Sequence, residues 1–276
     1  MKTKHTWLYR LSKIIVLLAI LVGIYAGVSY ILVCNHLRPI TPIATPYLGT
    51  PTGSWGPTAF SFIHQTNERQ RMLTKSKRYH GFEIDLYTQP NDPTLYVAHD
   101  PRQFKYKMTL QAAFSIPKEP AENFFWIDMK SSLTQAQIDE VKNIARLCGV
   151  PLENLIFEPP YKDDAQAKLL TQNGLRVILF ITGFEKEFNA EQTQALVDKT
   201  QHRIEEIQPW GISSGMGLYP YLKAYFPNYP KAICYNTTKR PSLKKYFMRR
   251  LIAKDPSVRI FLTDEYNWDN LGVKND

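Results

Sequence analysis

The sequence predicts an α/β protein, a (β/α)8 TIM barrel preceded by a single N-terminal transmembrane helix, and three observations carry that prediction. Over about the last 220 residues, eight short apolar runs alternate with amphipathic segments, the signature of parallel βαβ units. A long apolar run with a basic flank precedes them. Carboxylates and histidines gather at the ends of the runs, where a barrel of this kind does its chemistry.

Taken in order, the first forty residues carry Lys2, Lys4, Arg10, Lys13 and Arg38 and no acid, around an apolar stretch from Ile14 to Val33. About 20 apolar residues at about 1.5 Å per residue cross a hydrocarbon core of about 30 Å, whereas the apolar part of a cleaved signal peptide spans only about 7 to 15. The expectation is therefore a basic tail over 1–13, an anchor over 14–34, a linker over 35–58 and a barrel over 59–276. The basic residues precede the span, which places the N-terminus in the cytoplasm and the barrel on the extracytoplasmic side of a single-pass membrane protein. Cys34 follows Ile31, Leu32 and Val33 rather than small residues, so it reads as a plain thiol and not a lipid attachment point. From Arg38 to Thr58 five prolines are spaced among threonines and glycines, which favours an extended, semi-rigid spacer.

The whole chain has 34 basic and 25 acidic residues; without the five basic residues of the first forty the remainder is +4. That mild excess, with no docking motif, argues against nucleic-acid binding. Much of it lies in Lys239, Arg240, Lys244, Lys245, Arg249, Arg250 and Lys254. That stretch reads either as a solvated helix face or as a contact with an anionic membrane surface. The three cysteines, Cys34, Cys148 and Cys234, form no disulfide framework, and a bridge between the last two is left open.

The predicted strands run over 59–64, 81–87, 123–129, 154–158, 176–181, 210–213, 231–235 and 258–263, with an extra strand at 94–98. Helical patterns fall at 68–79, 134–147, 162–173, 190–207, 219–226 and 242–254, with a short helix near Leu110. Gly149 and Gly174 suit left-handed helix terminators.

The strand ends make a coherent chemical group. The first strand ends in His64, followed by Gln65, Thr66 and Asn67. Glu83 and Asp85, two apart on the second strand, point to one face and suit a hard divalent metal. The extra strand ends at His99 and Asp100, and the third barrel strand at Asp128, Met129 and Lys130. Asn67 reads equally as a cap for the next helix. Glu158 reads equally as a pocket residue or a plain strand end. Trp210, Tyr266 and Trp268 read as core or as an apolar wall of the site, and Ser213-Ser214-Gly215 lacks the context of a nucleophilic serine.

The motifs H-x-x-N at His64–Asn67, E-x-D at Glu83–Asp85, HD at His99–Asp100 and D-x-K at Asp128–Lys130 resemble those of the phospholipase-C-like phosphodiesterase superfamily. The nearest branch is the glycerophosphodiester phosphodiesterase family. That family has His-Arg where this chain has His64-Gln65, and Glu at the position of Asp128. The H-x-x-N and D-x-K forms are similar to the sphingomyelinase D branch, and H-x-x-N also to the menorin-type branch.

The resemblance implies one divalent cation, Mg²⁺ or Ca²⁺, held by Glu83, Asp85 and Asp128. It also implies His64 and His99 as a general acid and base pair, with Lys130 on the phosphoryl charge. Substrate contacts are expected at Asn67, Glu158 and Trp268. The expected activity is a membrane-anchored, metal-dependent phosphodiesterase acting on glycerophosphodiesters or phospholipid head groups. The alternatives are a sphingomyelinase-D-like lyase leaving a cyclic phosphate, or a non-catalytic envelope or lipid-binding barrel. The sequence leaves the substrate and oligomeric state open.

Overall fold

The structure is a computed structural model that describes residues 2–51, 60–76, 79, 81–89, 92–99, 108–234 and 243–263. Its strands are β1 (Phe60–Ile63), β2 (Gly81–Gln89), β3 (Asp92–Val97), β4 (Met108–Thr109), β5 (Phe124–Met129), β6 (Leu155–Glu158), β7 (Arg176–Phe180), β8 (Gly211–Gly215), β9 (Lys231–Cys234) and β10 (Val258–Thr263). The helices are α1 (Lys2–His36), α2 (Arg69–Lys75), α3 (Leu110–Phe114), α4 (Gln135–Cys148), α5 (Asp164–Gln172), α6 (Ala190–Ile207), α7 (Tyr219–Tyr225) and α8 (Leu243–Ile252).

Eight strands pair in parallel in the order β1, β2, β5, β6, β7, β8, β9, β10, and β10 pairs back with β1, which closes the barrel. The far half of β2 leaves the barrel wall and forms an antiparallel ribbon with β3, which pairs in turn with β4. This is the predicted extra strand.

Alternation along each strand divides the core in two. Phe62, Trp126, Ile156, Ile178, Ala232 and Ile260 fill the barrel interior, while Ile127, Phe157 and Val177 are buried one residue out of step with them. The helices bury Ile138, Val141, Ala167, Leu170, Val197 and Ile204 at three- and four-residue spacing. Their starts are fixed locally. Thr134 with Gln137, and Asn189 with Gln192, form reciprocal capping boxes on α4 and α6, and Gly149 (φ 71°) terminates α4.

Gly81 shows how tightly the interior is filled. It pairs with Phe62 across β1 and β2, and a methyl group there would clash with a carbon of the Phe62 ring. Gly81→Ala is expected to cost about 2 kcal/mol by overpacking, lowering the melting temperature by about 4–8 °C. Thermal unfolding checks this, and an unchanged midpoint would contradict the packing.

The N-terminal end of the barrel carries structural groups. The buried Lys231 ammonium donates to the carbonyls of Pro227 and Tyr229 and to Ser257 Oγ at 2.8–3.2 Å. Trp210, which precedes β8, stacks under Arg176 at 4.8 Å, so it does not wall the chemical end.

The proline-rich segment does not run free along its whole length. The N–H of Ile43 donates to the Tyr225 hydroxyl and that of Tyr47 to the Tyr225 carbonyl, at 3.3 and 2.8 Å. The Thr45 N–H donates to Gln194 Oε1, the Asn228 side chain donates to the Leu48 carbonyl, and the Tyr47 ring packs beside Phe226 and Tyr229. Residues 43–48 thus lie as a strap across α6, α7 and the turn that follows.

Two compact units divide the chain. One comprises 39–239 with 255–276 and contains the barrel; the other comprises 1–38 with 240–254, which pairs α1 with α8. Among the described residues one helix, over Tyr9–His36, is long and apolar enough to cross a membrane, and Ile14 to Val22 expose their large side chains.

Candidate active site

The inward positions at the C-terminal strand ends form the floor and walls of a cavity of about 150 Å³. Strand register sets the acidic side of it. Asp85 pairs with Asp128, and Asp128 with Glu158, across β2, β5 and β6, so three carboxylates stand side by side at one level. Glu83 lies one inward position deeper, opposite Trp126. One carboxylate oxygen from each of Glu83, Asp85 and Asp128 falls within 4.8 Å of the others. His64, Trp126 and Phe180 line the cavity with Glu158, Cys234 and Leu262.

His64 is held through its backbone on both sides. Its N–H donates to the Thr263 carbonyl at 2.9 Å, and its own carbonyl accepts from Arg71 Nη2 at 2.9 Å. The next residue, Gln65, adopts the left-handed conformation (φ 52°), an uncommon one for a residue with a side chain. This turns its backbone N–H onto the Glu83 carboxylate, while its side chain is exposed. Thr66 completes the clamp, donating through both N–H and Oγ to the Glu83 carbonyl at 2.9 and 2.6 Å.

Asn67 does not cap the following helix, whose N-cap is Glu68 with no side-chain bond. Its amide nitrogen donates to the Asp85 carboxylate and its oxygen accepts from the Asp85 N–H at 2.8 Å. Asn67 therefore orients an acid of the site. Lys130 sits between two of those acids, with Nζ 2.8 Å from Asp85 and 2.5 Å from Asp128.

His99 follows β3, whose end is fixed by the Ala98 N–H donating to the Asp85 carbonyl at 2.9 Å. Its side chain is exposed, and it acts in the direction that lowers the Asp128 carboxyl. Asp100, Tyr266 and Trp268 lie outside the described residues.

The electrostatics of the acids record crowding. Burial, then the neighbouring Asp85, pushes the Glu83 carboxyl well above the usual carboxylate range, against the Gln65 N–H that favours its charged form. Burial also raises Asp128, which Lys130 partly offsets. The Lys130 ammonium is disfavoured by burial, but Asp128 and Asp85 outweigh that and raise it overall. One ammonium cannot neutralise three clustered carboxylates. The oxygen-only donor set, its spacing and this uncompensated charge fit a hard divalent cation held by Glu83, Asp85 and Asp128.

Two residues that line the cavity, Phe180 and Cys234, and one that supports its wall, Ser213, have no motif in the sequence. Ser213 Oγ donates to Glu158 at 2.8 Å and fixes the carboxyl in the wall. Burial, then Asp128, pushes that carboxyl up to about 8 despite Ser213. Cys234 faces the acids, and burial followed by Glu158 raises its thiol far above the ordinary range. Phe180 supplies an apolar wall. The inward alternation of β7, β8 and β9 is the signal that marks all three once the register is known. Cys234 and Cys148 are both free thiols.

No protein-family model matches the chain, and no curated protein matches it in sequence. Solved structures do match. A glycerophosphodiester phosphodiesterase from Thermotoga maritima superposes with a TM-score of 0.50 at 15% identity, covering 75% of this chain and 95% of that one. A protein from Agrobacterium tumefaciens assigned as a glycerophosphoryl diester phosphodiesterase gives 0.56 at 12% identity, over 75% and 94% of the two chains. An Oleispira antarctica phosphodiesterase, solved with the product sn-glycerol-3-phosphate, gives 0.50 at 12% identity, over 74% and 92%. At these identities the likeness is one of fold. The chain has the TIM-barrel fold of the glycerophosphodiester phosphodiesterases.

Proposed function

We propose that this protein is a membrane-anchored, metal-dependent phosphodiesterase that acts on glycerophosphodiesters or phospholipid head groups. The observation that carries the reading is the convergence of Glu83, Asp85, Asp128 and Lys130 beside His64 at the strand ends of this barrel. The Oleispira protein of the same fold was solved with a glycerol phosphate product, which supports the substrate class.

A bound Mg²⁺ or Ca²⁺ would supply charge neutralisation at the phosphoryl oxygens. Lys130 adds a second positive charge beside them. One of His64 and His99 takes the proton of the attacking hydroxyl as the new P–O bond forms. The other protonates the departing alkoxide as the old P–O bond breaks. Histidine suits both roles because its ordinary pKa, about 6.5, lies near neutrality. Asn67 and the turned N–H of Gln65 hold Asp85 and Glu83 in place. A cavity of about 150 Å³ accommodates a phosphoryl group with a short polyol, and acyl chains would lie outside it.

The test is a panel of phosphodiesters assayed with and without chelator. Metal-dependent turnover of a glycerophosphodiester is expected, and no turnover on any member would favour a non-catalytic barrel. Phosphorus NMR of the product separates hydrolysis from the cyclic phosphate of a lyase.

The membrane part of the reading rests on the apolar helix and its basic flank. A reporter active only outside the cytoplasm, fused after Thr58, is expected to be active, with the chain retained in the membrane. A cytoplasmic reporter signal, or a mature chain starting beyond Val33, would overturn it.

A further inference from the structure

From Lys239 to Lys254 the chain carries seven basic residues and no acid, a density that the proposed chemistry does not use. The helix in this stretch, α8, groups with α1 in one compact unit. Tyr30 of α1 meets Phe247 of α8 edge-on, with ring centroids 5.3 Å apart. On α1 the positions withdrawn from solvent near this contact are Ala26, Ser29, Val33 and His36, spaced by three or four residues as one helix face requires.

The depth of the contact follows from helix geometry. Tyr30 lies six residues before His36, the end of the apolar span, or about 9 Å along the axis at about 1.5 Å per residue. Such a position lies at the level where hydrocarbon gives way to headgroups. The composition of α8 suits that level. Met248, Arg249 and Ile252 are buried, while Lys244 and Arg250 are exposed, as is Lys254 in the turn that follows the helix. At about 100° per residue Lys244 and Arg250 lie about 120° apart, with Met248, Ile252 and Arg249 all in the remaining arc. Tyr246 and Phe247 add aromatic rings of the kind that settle at the interface, and the Arg250 guanidinium stacks on Tyr246 at 5.2 Å.

We propose that α8 and the turn after it form an interfacial element whose Lys244, Arg250 and Lys254 bind the phosphates of anionic phospholipids. The leaflet concerned is the one reached by the C-terminal end of α1. The inference rests on reading α1 as a membrane span. It adds to that reading a specific lipid contact at the chain's second membrane-facing element.

The experiment uses the full chain, reconstituted in phosphatidylcholine vesicles with about 10 mol % phosphatidylglycerol, re-extracted in mild detergent and assayed for co-purifying lipid. The parent is expected to retain phosphatidylglycerol at a ratio to phosphatidylcholine about tenfold above that of the vesicles, falling as salt is raised. Lys244→Gln, Arg250→Gln and Lys254→Gln together should bring the ratio back to that of the vesicles. Lys244→Arg, Arg250→Lys and Lys254→Arg together should preserve it, which separates charge from a folding effect. Equal ratios in the parent and the glutamine variant would overturn the proposal. Carbonate extraction is run alongside, with both chains expected to stay in the membrane. Release of the parent would overturn the span itself, and the lipid site with it.

Discussion

Alanine in place of His64 is expected to lower turnover on the best substrate by on the order of 10²-fold or more, and alanine in place of His99 by a similar factor. The backbone of His64 is pinned by Thr263 and Arg71, so the substitution deletes an imidazole from the cavity without releasing the turn that carries it. His99 stands on the Asp85 side, positioned by the Ala98 N–H. If the two act as acid and base, activity follows a bell-shaped pH profile. The double substitution then costs little more than the worse single one, because groups that act as a unit are strongly non-additive. Divalent-metal affinity, measured by calorimetry, should survive in all three variants, since the proposed ligands are carboxylates. Turnover within a few-fold of the parent in both single variants would end the two-histidine mechanism.

The second large effect concerns the carboxylates. Glu83→Gln, Asp85→Asn and Asp128→Asn are each expected to weaken Mg²⁺ or Ca²⁺ binding by more than about 100-fold, beyond what loss of a supporting contact costs. Metal at about 100 times the parent's dissociation constant should stabilise the parent by about 2.7 kcal/mol and the variants by no more than about 0.4 kcal/mol. Without metal the order reverses. The Glu83 carboxyl is raised in the folded state, so ionising it costs stability as pH rises above its unfolded value near 4.5. Glu83→Gln should therefore be more stable than the metal-free parent at neutral pH, with the gap closing as pH falls toward 4. Chemical denaturation at several pH values checks the sign. Parent-like metal binding in all three variants would remove the assignment.

Much of this was legible in the sequence because the barrel is built from local signals. Apolar runs such as 155–158 and 176–180 are bounded by caps and by Gly149 and Gly174, and the strands fall within a few residues of their predicted places. The acids and histidines were legible for a related reason: charged groups at the end of an apolar run need a purpose. What escaped depends on register or on long-range packing. Ser213 and Cys234 are ordinary residues until the inward alternation of β8 and β9 is known. Asn67 looked equally like a helix cap, and only the β1–β2 pairing carries it to Asp85. Trp210 is separated from the site by the length of the barrel, a distance that its position before a strand does not reveal. The partner of α8 was equally hidden, since its basic face is compatible with water or with lipid.

The strap over residues 43–48 bears on how the barrel can be handled apart from its helix. A shortened chain that begins after the strap, at Pro57 for instance, would lose the cover that Tyr47 gives Phe226 and Tyr229 and the bonds that Ile43 and Tyr47 make to Tyr225. The bared aromatic face would be a place for two such chains to stick together. A version begun at Pro39 keeps the strap and its bonds, although it still parts α8 from the α1 ring that meets Phe247.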